Sequence, residues 1–73
     1  MKRKNQVQIE FGKALRKQRK AKELTQERLA ELSGLHFTYI GSVERGERNL
    51  SIKNIDTLLK ALGLSYKEFF GDF

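Results

Sequence analysis

Between Thr25 and Arg45 the chain reads TQERLAELSGLHFTYIGSVER, and its small residues fall where two short helices cross through a tight turn. Ala30 permits the close approach, Gly34 supplies the backbone freedom of the turn, and Ile40 and Val43 anchor the second helix. The outer face of that second helix is then left for a ligand with a groove.

The rest of the chain agrees with a helical reading. Pro is absent and apolar residues recur every three or four positions, which favours helices over strands. Residues 6–20 are expected to form a first helix with Ile9, Phe11, Ala14 and Leu15 inward, preceded by a mobile arm over residues 1–5. Thr25 is the expected N-cap of the second helix, Leu24 can staple onto Leu29, and Leu29, Ala30 and Leu32 form its buried side. The third helix is expected over residues 36–45, with Gly46 left-handed just after it. Ser51 caps a fourth, whose stripe of Ile52, Ile55, Leu58, Leu59 and Leu62 reads as core and ends before Gly63. Ser65 and Glu68 have the spacing of a capping box for a short last helix carrying Tyr66, Phe69 and Phe70, with Phe73 beyond it. The expectation is one all-α domain of five helices over residues 1–73, with the helix-turn-helix at 25–45.

Composition narrows the function classes. The chain of 73 residues has no Cys and one His, so disulfide scaffolds, thiolate zinc sites and thiol nucleophiles are excluded, and neither a metal nor a cofactor is expected. No apolar run approaches the ~20 residues of a membrane span, and the basic start MKRK leads into polar residues, which argues against a signal peptide. A cytoplasmic setting is expected. The net charge of +6 is uneven: the first 22 residues hold nine Lys/Arg against Glu10 alone, and the remainder six against eight acids. Such asymmetry favours a polyanionic partner.

On a helical projection of the third helix, Ile40 and Val43 point one way and Thr38, Gly41, Ser42 and Arg45 the other. Helices in a DNA major groove read bases mainly with their N-terminal residues, so Phe37, Thr38 and Ser42 are the candidate base readers. Phe37 either meets a thymine methyl or packs on the flank of the second helix, and the hydroxyls of Thr38 and Ser42 either contact DNA or are merely solvated. Gln26, at a helix start, either holds a phosphate or is a neutral first residue of its helix, and Tyr39 either reaches a phosphate or supports the core. Arg45, Arg48 and Asn49 lie where side chains reach the DNA backbone, with Arg16 and Lys17 as further basic candidates on a stretch that could equally be a solvated face. His36 has a polar role at a helix start, without a second metal ligand. Glu27 and Glu31 read as surface charges offset by Arg28, and an enzyme is not expected.

The segments LRKQR, TQERLAELSGL, YIGSVERGERN and KALGLSYKEFF together resemble the Cro/C1-type (XRE) helix-turn-helix family over almost the whole chain, with a lambda-repressor-like fold. HFTYIGSVERGERNLSIKNI is most similar to the controller proteins of restriction-modification systems, small homodimers that regulate their own operon from two-fold symmetric sites. The resemblance implies phosphate contact by Gln26, base-reading positions at Phe37, Thr38 and Ser42, and Arg45, Arg48 and Asn49 along the DNA backbone or minor groove. It also implies an Arg19 to Glu44 salt bridge, double-stranded DNA and a second copy of the chain as partners, and RNA polymerase as a further candidate. Two positions depart from the pattern: His36 stands where Ser or Thr commonly caps, and Phe37 replaces a longer polar reader.

The dimer surface is expected at 64–73 through Tyr66, Phe69, Phe70 and Phe73, too many large apolar groups for a small exterior, unless they close the monomer's own core. The rival to a specific DNA-binding regulator is an antitoxin or adaptor-type helix-turn-helix module whose main partner is a protein.

Overall fold

The computed structural model describes residues 5–71. They form five helices: α1 (Gln6–Ala21), α2 (Gln26–Ser33), α3 (Phe37–Glu44), α4 (Ile52–Leu62) and α5 (Tyr66–Phe70). No strand occurs among the described residues. Of the arm expected over residues 1–5, the first four lie outside the described residues, whereas Asn5 is the N-cap of α1 and accepts a 2.8 Å hydrogen bond from the Val7 N–H.

Each helix begins on a side chain that takes up an otherwise orphaned backbone donor. Thr25 accepts from the Arg28 N–H at 3.0 Å and Ser51 from the Asn54 N–H at 3.1 Å. At α5 the capping box closes in both directions, the Glu68 N–H reaching Ser65 Oγ at 3.0 Å and the Ser65 N–H reaching Glu68 Oε1 at 2.8 Å. Those bonds to Ser65, the backbone one first, hold the Glu68 carboxyl below its ordinary pKa.

After α3 the chain must turn back beneath α1, and Gly46 makes that turn at φ 75°, where a Cβ would lie 2.9 Å from the Ile9 Cα. A side chain there meets both a strained backbone and an occupied space. The end of α1 is less orthodox, because the left-handed residue is Glu23 at φ 59°. The turn it makes lets the Leu24 N–H bond the Arg19 carbonyl at 3.1 Å.

The core comprises Phe11, Leu15, Leu29, Ile40, Val43, Leu58, Leu59, Leu62 and Phe69, so every helix contributes to it. Two residues expected in that core are exposed. Ile52 is 80% exposed, because it is the first residue of α4 and overhangs the packed part of its helix. Leu32 is 45% exposed, since it lies about 60° around α2 from the buried Leu29 and falls on the rim of the apolar stripe.

The aromatic end also differs from expectation. Phe69, assigned from sequence to the dimer surface, is buried in the monomer, its ring 5.1 Å from that of Phe11. So short a domain uses α5 as a lid, and a large ring is needed to close it over α1. Phe70 is half-buried, 6.2 Å from Phe11, and Tyr66 is half exposed. Phe73 lies outside the described residues.

Candidate nucleic-acid interface

The first turn of α3 is its exposed end. His36 caps it with its ring: Nδ1 accepts from the Thr38 N–H at 3.2 Å and lies 2.7 Å from Thr38 Oγ1. An imidazole thereby does the work of the Ser or Thr expected at an N-cap. With Nδ1 unprotonated, the Thr38 hydroxyl donates to the ring and keeps its lone pairs available, so the exposed Thr38 is set up as an acceptor. Phe37 stacks on the His36 ring at 5.1 Å and remains 47% exposed, on the rim of a shallow hollow that Glu27, Ala30 and Glu31 of α2 also line.

Behind this tip α3 is locked to α1 and α2. The Arg19 guanidinium donates to Glu44 twice, from Nε at 2.6 Å and Nη2 at 3.1 Å, and from Nη1 to the Leu24 carbonyl at 2.7 Å. Both side chains are nearly buried, and the bond to Glu44 is the main cause raising the Arg19 pKa, with burial opposing it. Gln26 joins the same carboxylate, Nε2 to Glu44 Oε1 at 3.0 Å. Hence the amide expected at a phosphate is half-buried, and its orientation is dictated by Glu44. Among the described residues no buried side-chain polar atom lacks a partner, so this network is closed.

Close packing explains how α1 and α3 meet. A Cβ on Gly12 would run into the Val43 carbonyl oxygen and sit 2.7 Å from that of Glu44, so α1 lies directly against the last turn of α3. The sequence reading missed Gly12. A glycine in mid-helix is its only signal.

The outward face of α3 needs correction. Ser42, expected beside Thr38 as a base reader, is only 6% exposed. Its hydroxyl donates to the Tyr39 carbonyl at 2.8 Å and accepts from Arg48 Nε at 3.0 Å. Gly41 is buried too, because Arg45 and Gln26 occupy the space above it, a Cβ there lying 3.2 Å from Arg45 Nη1 and 3.5 Å from Gln26 Oε1. The helical projection located the outer side without accounting for the long side chains folded back over it.

The basic candidates divide into two groups. Arg45, Arg48 and Asn49 are exposed around the end of α3, Arg45 Nη2 pairing with Glu47 at 3.2 Å. The Arg48 guanidinium stacks 5.6 Å from the Tyr39 ring centroid, and the Tyr39 hydroxyl accepts from Asn54 Nδ2 at 3.0 Å. Arg16 and Lys17 stand on the exposed side of α1 and take no part in this cluster. Asn54 was not among the expected residues, and no fixed spacing links it to Tyr39 on another helix.

On α4, Ile52 and Asp56 are one turn apart, and Tyr66 of α5 donates to Asp56 Oδ1 at 2.8 Å. That bond first, and then Lys60 at 3.0 Å from Oδ2, keep the Asp56 carboxyl below its usual pKa. Among the described residues no helix is long and apolar enough to cross a membrane, and no group of three or more His, Cys, Asp or Glu could hold a metal.

Comparison with known proteins extends this description. The Helix-turn-helix family profile matches residues 15–69. Control protein C.SmaI of Serratia marcescens is 55% identical over 51 residues, which are 70% of this chain and 61% of that protein. The chain thus spans about three fifths of that relative's length. The restriction-modification controller protein C.AhdI from Aeromonas hydrophila has a crystal structure that superposes with a TM-score of 0.86 at 48% identity, covering 90% of this chain and all of that one. One chain of the controller protein C.Esp1396I, from the structure of its tetramer in complex with its natural 35 base-pair operator, superposes with a TM-score of 0.89 at 37% identity, covering 93% of this chain and 90% of that one.

Proposed function

Because the chain belongs to the Cro/C1-type helix-turn-helix family, we propose that it is a sequence-specific DNA-binding transcriptional regulator, the controller of a restriction-modification operon, acting as a homodimer. One observation carries the reading: the exposed tip of α3, apolar Phe37 beside the hydroxyl of Thr38, projects from a helix fixed at its other end by the Arg19, Gln26 and Glu44 network. A reading helix needs both a free edge and a rigid mount. The operator-bound C.Esp1396I tetramer supports the choice of duplex DNA as ligand.

In this reading α3 enters the major groove. Thr38 accepts from an exposed amino group of adenine or cytosine, and Phe37 covers a thymine methyl. Gln26 and the N-terminus of α2 meet a phosphate, while Tyr39, Arg45, Arg48 and Asn49 follow the backbone beside the groove, with Arg16 and Lys17 adding charge from α1. Two copies present their α3 helices about 34 Å apart on one DNA face.

The pairing surface is the exposed side of α4 and α5, where Ile52 and Tyr66 leave apolar area uncovered and Phe70 is half-buried beside Phe11. Phe73 extends it. Residues 1–73 then act as one domain, with 25–45 as reader and 64–73 as dimerisation segment, in the cytoplasm and without catalysis.

Two substitutions test the division of labour. Thr38→Ala is expected to lose about 1–2 kcal/mol at one base position and to relax the preference there. Arg48→Ala is expected to weaken every duplex similarly and to lower the slope of log affinity against log salt by about one. Equal losses on all sequences for both variants, in a salt titration with specific and random duplexes, would remove the base-reading role.

A further inference from the structure

Arg48 is exposed, yet its guanidinium is held on two sides before any ligand arrives. Its Nε donates to Ser42 Oγ at 3.0 Å, and its plane lies over Tyr39, 5.6 Å from the ring centroid. Ser42 is buried and donates its own proton to the Tyr39 carbonyl at 2.8 Å, which turns its lone pairs towards Arg48. The far edge of the Tyr39 ring is fixed by Asn54 Nδ2 at 3.0 Å from the phenol oxygen. With Nε occupied, the two terminal amino groups of Arg48 are its remaining donors, and they suit a phosphate.

We infer that Ser42 is a positioning residue: it latches Arg48 over Tyr39 so that the guanidinium is ordered for a DNA phosphate in the free protein. The inference rests on the DNA-binding reading and assigns Ser42 a part other than base contact. Both hydrogen-bonding functions of its hydroxyl are in use, and it is covered by the arginine it would have to read past. An arginine ordered in advance loses less rotamer freedom on binding, an advantage of about 3- to 10-fold in affinity.

The test combines the free protein with a double-mutant cycle. By NMR, the Arg48 Nε–H of the wild type should exchange slowly with solvent, and Ser42→Ala should abolish that protection. Arg48→Lys keeps the charge but has no Nε–H to latch. Ser42→Ala should weaken binding to the selected and to a random duplex by about 3- to 10-fold with an unchanged base preference, and should cost nothing further in the Arg48→Lys background. A purely structural effect of Ser42 would persist in that background. Additive losses, or a changed preference at one base in Ser42→Ala, would overturn the positioning role while leaving DNA binding intact. A protected Nε–H in a wild type that binds no duplex at any salt would instead overturn the DNA-binding reading, and the positioning role with it.

Discussion

Glu44→Ala is expected to lower the free energy of unfolding by about 3–5 kcal/mol, the usual cost of removing one partner from a buried ion pair. The carboxylate is 5% exposed and accepts from Arg19 Nε, Arg19 Nη2 and Gln26 Nε2. Without it the Arg19 side chain, 9% exposed, keeps the Leu24 carbonyl as its hydrogen-bond acceptor and only a weaker charge interaction with Glu27. It cannot escape by losing its proton, because arginine stays charged at any working pH. A small domain has a total stability of about 5–15 kcal/mol, so the loss is a large fraction of it. Glu44→Gln, which keeps an acceptor and the side-chain shape, should cost less. Urea unfolding followed by far-UV circular dichroism measures both variants, and a Glu44→Ala midpoint equal to that of the wild type would show that the pair does not hold α1 to α3.

Gly12→Ala is expected to destabilise the domain by about 3 kcal/mol, although alanine is the better helix former. The added methyl meets the carbonyl oxygens of Val43 and Glu44, which are backbone atoms of the last turn of α3 and have no rotamer through which to withdraw. The two helices must part. Their separation lengthens the Arg19 to Glu44 bonds at the same crossing, so the loss should be less than additive with that of Glu44→Ala. At an open helix glycine the same change would stabilise by up to about 1 kcal/mol. A rise in the urea midpoint would therefore show that the close approach of α1 and α3 is absent in solution.

These two sites mark where sequence reasoning succeeds and where it stops. Helix starts were legible, because Thr25, Ser51 and the Ser65 and Glu68 pair act on backbone groups within four residues of themselves. The buried stripe of α4 was legible from Ile55 onward, since helical periodicity reports a covered face. Periodicity does not report where cover begins, which is why Ile52 is exposed. Nor does it separate a core aromatic from an interface aromatic, so Phe69 needed its partner Phe11 to be assigned.

At the site, the exposed tip of α3 followed from its N-terminal position. The burial of Ser42 did not, because it depends on Arg48 folding back from a loop whose path no local rule describes. Asn54 and Gly12 were silent for a related reason: each matters through one neighbour distant in sequence, Tyr39 in the first case and the end of α3 in the second. Arg19 and Glu44 are as far apart, and only family resemblance brought them together beforehand.

Whether this fold reads DNA sequence as a dimer is decided by selecting bound duplexes from a random pool with the purified protein at ~0.15 M salt, where loose phosphate binding is weakened. Enrichment of a two-fold symmetric sequence whose half-sites lie about one helical turn apart is expected. Retention of DNA with no enriched sequence, or no retention at all, would contradict it, the second outcome favouring a module whose main partner is another protein.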